Sequence, residues 1–182
     1  MKGSVCWMDE MVDILDEFDG QITGNTLLKN EAHKTGVWHG AIHIIIVDKA
    51  SNKTLIQKRA AGKQLYPNMW DIAVGGHIAA GETAVNAARR ELQEELGISA
   101  DDYEIKFVER IREKLSNSGI VNREYVSIFI IYDDIDINDL VLQENEVDSI
   151  KWCTKEELNG YINKGVMVPH VREYELLNLI LV

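Results

Sequence analysis

Three glutamates, Glu91, Glu94 and Glu95, stand at i, i+3 and i+4 in a stretch free of glycine and proline from residue 84 to residue 96. On a helix, that spacing gathers the carboxylates on one arc about 100° wide. Two carboxylates about 6 Å apart repel by roughly 3 kcal/mol at an effective dielectric near 20. Acids are also disfavoured in the last turn of a helix, where the dipole end is negative. A divalent cation relieves both penalties. Hard oxygen donors in an incomplete protein cage suit Mg²⁺, which keeps waters and binds substrate phosphates, with Mn²⁺ as the substitute. Arg90 can hold one acid through a two-pronged contact. The bland alternative is an acidic helix face bathed in solvent.

The elements that must position these acids are also legible. Gly81 and Glu82 close a loop, and Thr83 offers its hydroxyl as an N-cap. Gly97 supplies a left-handed stop. Val85, Ala88, Leu92 and Leu96 fall on one stripe, which should face the core. Upstream, Met11 to Asp16 and Gln21 to Leu28 flank Asp19-Gly20 and predict a hairpin. Residues 37 to 48 and 54 to 58 predict a second one. A loop over residues 60 to 70 then leads into a short strand from Asp71 to Val74. Downstream, 104–112, 121–132 and 147–153 are strand-like, and 133–146 is an acidic connector. Thr154 and Glu157 form a capping-box pair for a short helix. Pro169 and the Leu176, Leu177, Ile180 pattern predict a last helix from about residue 169 to residue 181.

The chain has 182 residues, which fits one domain, residues 1–182, with an N-terminal hairpin extension over 1–30 and C-terminal helices over 154–182. The formal net charge of −11 argues against binding a nucleic-acid backbone. It also requires any phosphate site to be neutralised locally. Cys6 and Cys153 are the only cysteines, so no disulfide framework or Cys-rich zinc site is expected. The first ten residues hold no apolar signal region, and the longest apolar run, Ile44 to Val47, is too short to span a bilayer. A cytoplasmic protein is expected, with no membrane partner and a homodimer left open.

Gly76, Glu82, Arg90, Glu91, Leu92, Glu94, Glu95, Gly97 and Ile98 match every specified position of the Nudix box. The chain therefore resembles the Nudix hydrolases. That resemblance implies an α/β fold, the α/β/α sandwich with a mixed β-sheet between helices. It implies metal-dependent cleavage of a nucleoside-diphosphate-linked or other organic diphosphate. Around the box, Gly36-Val37-Trp38-His39, Gln57-Lys58-Arg59-Ala60, Tyr66-Pro67-Asn68-Met69-Trp70 and Gly75-Gly76-His77 resemble the branch of type I isopentenyl-diphosphate isomerases and their hydrolase cousins. The isomerases carry a catalytic Cys just before the Gly-His pair and a degenerate box. Here Gly75 occupies that place and the box is intact, so the hydrolase reading leads and the isomerase reading stands second. A non-catalytic, ligand-binding Nudix domain is the third.

The resemblance implies roles by position. The Gly76 carbonyl, Glu91, Glu94, Glu95 and His77 would hold metal. Glu82 and Arg90 would orient the acids. Glu91 or Glu94 would serve as base, with Glu124, Glu144 or Glu146 as rivals. His33 and His39, one residue short of the isomerase spacing, would join His77 and Glu124 in a second metal site, or else pack with His43 in strands and loops. Arg59 and Lys63 match diphosphate-contacting positions. Tyr66 and Trp70 would cover the organic group, making residues 58–70 one wall of the cleft, while Trp38 could stack or pack.

Overall fold

A computed structural model describes residues 10–182. Cys6 and the start of the expected N-terminal extension lie outside the described residues. The strands are β1 (Met11–Leu15), β2 (Ile22–Leu28), β3 (Trp38–Asp48), β4 (Lys53–Arg59), β5 (Trp70–Asp71), β6 (Val74–His77), β7 (Lys106–Asn117), β8 (Ile120–Tyr132) and β9 (Val147–Thr154). The helices are α1 (Lys29–Thr35), α2 (Ala84–Leu96), α3 (Lys155–Asn163) and α4 (Val171–Ile180).

β3 organises the sheet. It runs parallel to β8 from the Trp38–Arg123 pair to the Val47–Tyr132 pair, and antiparallel to β6 and β4. Its alternating side chains serve two cores. Ile42, Ile44 and Ile46 pack with Ala87, Ala88, Leu92 and Leu96 of α2. Ala41, Ile45 and Val47 pack on the other face with Leu158 of α3 and with Tyr174 and Leu177 of α4. This is the mixed sheet between helices that the sequence resemblance implies.

The local signals hold at most element ends. Thr83 Oγ1 accepts from Asn86 N at 3.3 Å, and Gly97 ends α2 at φ +71°. Thr154 and Glu157 complete the capping box of α3. Four expectations change. Val85 is 52% exposed, because the buried arc of α2 is centred toward Glu91 and Glu95 and leaves Val85 at its edge in the first turn. The strand expected over 71–74 is two, since β5 pairs with β4 whereas β6 pairs with β3. α1 was not expected. It has no side-chain cap and is held by packing on β8 and β1. β7 and β8 extend to the turn at Ser118-Gly119, where both residues have positive φ.

β3 pairs with β4 only at Val47–Thr54 and Asp48–Lys53. Towards residue 41 its neighbour on that side is β6, while β4 pairs with β5 and β9. The cleft where β4 and β6 part is the site.

Candidate active site and metal centre

A cavity of about 450 Å³ fills this cleft. Its walls come from β3, β4, β5, β6, α2, the loop after β4 and the strand β8.

Arg90 is the hub of the acidic helix. Its guanidinium donates to Glu82 at 2.9 and 3.1 Å, to Glu91 at 2.7 Å, to Glu94 at 3.2 Å and to the His77 carbonyl at 2.9 Å. Glu82 also accepts from Ala79 N, so it ties the loop before α2 to the same hub. We expect Arg90→Gln to leave three carboxylates with weakened partners and to destabilise the fold by on the order of 3 kcal/mol. Chemical denaturation reads this directly. An unchanged midpoint would mean that solvent, not Arg90, neutralises these acids.

Glu91 and Glu95 line the cavity, and Glu94 does not: it is half-exposed and turned to Arg90. Glu95 is buried, with Oε2 accepting from Gln57 Nε2 at 3.0 Å. Burial raises the Glu95 carboxyl to about 8, while Lys63 pulls the other way. Burial likewise raises Glu91 to about 7, against the opposing pull of Arg90. The backbone of Gly76 passes so close to Glu91 that an added Cβ would fall on its carboxyl group.

A second cluster lies beside the first. His33, His39, His77 and Glu124 each present one ligand atom, all within 4.8 Å of one another. His33 Nε2 faces His77 Nε2 at 3.0 Å, and Glu124 Oε1 lies 3.3 Å from His77 Nε2 and 3.5 Å from His39 Nε2. Burial and the neighbouring His77 and His39 hold His33 down to about 3. Burial opposes ionisation of Glu124, but its bonds to His39 and His77 hold it well below the usual carboxylate range. Imidazoles converging on an ionised carboxylate are, once neutral, a donor set for a divalent cation. The buried carboxylates of Glu91 and Glu95 suit one as well.

The sequence-derived substrate wall divides. Arg59, Lys63 and Tyr66 line the same cavity as Glu91 and Glu95. Arg59 is held by Asp71 at 2.8 Å and by the Leu65 carbonyl at 3.0 and 3.2 Å, which leaves two of its five N–H groups without a partner among the described residues. Lys63 pairs with Glu146. Tyr66 donates its hydroxyl to Ser116 O at 3.1 Å. Trp70 is a correction. It stacks on Tyr161 with Lys151 over its ring, because β5 pairing turns it toward α3 and away from the cavity. Trp38 packs against Tyr125 and under Arg112. Glu144 is exposed and does not line the cavity.

The sequence reading missed Gln57, Asp71, Asn122, His170 and Glu173. Asn122 is buried in the cavity wall, with its side-chain oxygen unpartnered among the described residues. The only sequence signal for the last pair is their i, i+3 spacing at the start of α4. Cys153 is free and buried, and burial raises its thiol to about 11, so it is inert packing.

The profile of the NUDIX domain family matches residues 37–171. Nudix hydrolase 3 of Arabidopsis thaliana is 34% identical over 161 residues, 86% of this chain but 21% of that protein. An uncharacterised Nudix hydrolase of Listeria monocytogenes is 35% identical over 169 residues, covering 92% of this chain and 93% of its own. Isopentenyl-diphosphate Delta-isomerase 1 of Aromatoleum aromaticum is 33% identical over 93% of this chain and 89% of its own. The crystal structure of DR0079 from Deinococcus radiodurans superposes with a TM-score of 0.71 at 20% identity, over 94% of this chain and 99% of that one. The chain belongs to the Nudix hydrolase family. No helix among the described residues is long and apolar enough to cross a membrane.

Proposed function

We propose that the protein is a divalent-cation-dependent hydrolase of a small organic diphosphate, splitting X–O–P–O–P into X-phosphate and a second phosphate product. One observation supports this reading: Glu91 and Glu95 of the box line the same cavity as Arg59 and Lys63. Mg²⁺, or Mn²⁺ in its place, would be held by Glu91, Glu95 and the Gly76 carbonyl, and by the cluster of His77, His33, His39 and Glu124, where it would neutralise the diphosphate and acidify a water. The remaining N–H groups of Arg59 and the Lys63 ammonium grip phosphate oxygens. Glu91, raised toward neutrality and facing the cavity, takes the proton of the attacking water. Glu94, Glu82 and Arg90 keep Glu91 in place. Positioning and charge neutralisation supply most of the rate. Nucleotide, sugar, coenzyme and isoprenoid diphosphates offered with Mg²⁺, Mn²⁺ or EDTA test the reading. Turnover that EDTA abolishes is expected for at least one class, and none with any metal would leave only a ligand-binding role.

The histidine cluster and the isomerase relative favour a second reading, isomerisation of an isoprenoid diphosphate. Gly75 opposes it, having no side chain to shuttle a proton. We therefore expect isopentenyl diphosphate with Mg²⁺ to give no dimethylallyl isomer by NMR. Allylic product at an enzyme-like rate would reverse the order of the two readings.

A further inference from the structure

We propose that His43 is a further catalytic residue, donating from Nε2 to the phosphate that leaves, with Glu173 of α4 as the positioning residue behind it. This rests on the hydrolase reading and adds a group that the box does not contain.

His43 Nδ1 lies 2.6 Å from Glu173 Oε1, and Glu173 is fully buried. Among the described residues, Nε2 has no hydrogen-bond partner, yet it is not sealed off, and His43 lines the cavity. Access depends on residue 75. A Cβ there would meet the His43 ring, 3.4 Å from Cδ2 and 3.8 Å from Nε2; glycine leaves that edge open. Successive residues of a strand face opposite sides. Gly76 faces Glu91 and Gly75 faces His43, so acids and imidazole reach the bare Gly75-Gly76 ledge from opposite sides. Glu91 and His43 line the same cavity, so a diphosphate lying along that ledge would come within reach of both.

The charges around His43 make Nε2 a donor. His170 has Asp71 at 3.1 Å on Nε2 and Glu113 at 2.9 Å on Nδ1, so both its nitrogens carry protons and it is a cation. Asp71 also binds Arg59. Arg59 and His170 offset two of the three carboxylates Asp71, Glu113 and Glu173. Glu173, whose second oxygen is unpartnered among the described residues, is hydrogen-bonded there to His43, while the nearby His170 cation also favours its charge and opposes a charge on His43. An imidazolium at His43 balances the cluster, with Nδ1–H bound to Glu173 and Nε2–H free for substrate. In the reaction, the water oxygen bonds to phosphorus and gives its proton to Glu91. The bridging P–O bond breaks, its electron pair stays on the leaving oxygen, and that oxygen takes the Nε2 proton. Solvent then reprotonates His43.

The test begins with binding. The ¹⁵N–¹H imidazole spectrum of the full chain, which has five histidines, is followed while methylenediphosphonate and Mg²⁺ are added, with calorimetry measuring saturation. His43 Nε2 is expected to shift in step with binding and Nδ1 to shift far less. Saturable binding that leaves Nε2 unmoved overturns this proposal alone. Failure of the diphosphonate to bind overturns the hydrolase reading and this proposal with it. These measurements use the wild-type chain, so they hold even if a variant misfolds. In kinetics on the best diphosphate of the panel, His43→Gln keeps a donor of similar reach that cannot release its proton. Its kcat should fall about 10²-fold with KM within about threefold. Glu173→Gln should give a smaller loss, also in kcat and not in KM. Unchanged kcat in folded His43→Gln overturns the proposal.

Discussion

Glu95→Gln lowers kcat by at least about 10²-fold on any diphosphate the protein cleaves, while the metal-free fold becomes more stable. Both halves follow from one buried carboxylate. Its ionised form is opposed first by burial and then by Glu91, and is supported by Gln57 and Lys63. The folded protein therefore binds the Glu95 proton more tightly than the unfolded chain does. With the carboxyl raised from 4.5 to about 8, the stability it contributes is complete below about pH 4.5, drains as pH rises, and is gone above about pH 8. The neutral glutamine has no such dependence. In EDTA, the melting temperature of Glu95→Gln should thus gain on wild type from pH 5 to pH 8 and level off above that. Mg²⁺ should narrow the gap at pH 8 by stabilising the wild-type carboxylate. Near-normal turnover in the variant would remove Glu95 from the metal site, and a melting difference constant with pH would remove the burial argument.

Gly76→Ala should cost about as much activity by a different route. The new Cβ would occupy the place of the Glu91 carboxyl group, and the rigid pairing of Gly76 with Ile42 of β3 leaves the strand little room to retreat. Glu91 must swing out of the cavity and Arg90 loses its 2.7 Å contact. Misplacing a reacting group by about 1 Å costs about 10²-fold, so kcat should fall by that order and the Mg²⁺-induced rise in melting temperature should shrink. Gly75→Ala is the comparison for stability, since its Cβ would meet only the His43 ring at 3.4 Å, an ordinary contact. Its metal-free melting temperature should stay near wild type. If Gly76→Ala keeps full activity, the close approach of β6 to α2 is packing and not part of the site.

Much of the acidic helix was legible because its information is local. A cap such as Thr83 or Thr154 bonds a backbone amide three residues on, and Gly97 turns the chain at its own φ. The spacing of Glu91, Glu94 and Glu95 places them on one face whatever packs nearby. Even here the limit shows: helical phase alone placed Val85 inside the apolar stripe, but where that stripe ends depends on how far the sheet reaches beneath α2. α1 shows the same limit from the other side. Seven residues without a side-chain cap carry little intrinsic helicity, and β8 and β1 supply what the segment lacks.

By itself the sequence determined the family, through the residue pattern of the box, and the acidic helix with its ends and most of the other elements, though not α1 or the division of β5 from β6; those it did determine rest on contacts within a few residues. Only the tertiary structure decided which of the three glutamates reach the cavity, that Trp70 faces α3, and that His33, His39, His77 and Glu124 converge. It alone brought Glu173 to His43 across 130 residues. No local pattern encodes such a pair. The partner is set by the register of β3 against β6 and by the docking of α4 on the sheet, and shifting a strand by one residue would turn His43 to the opposite face.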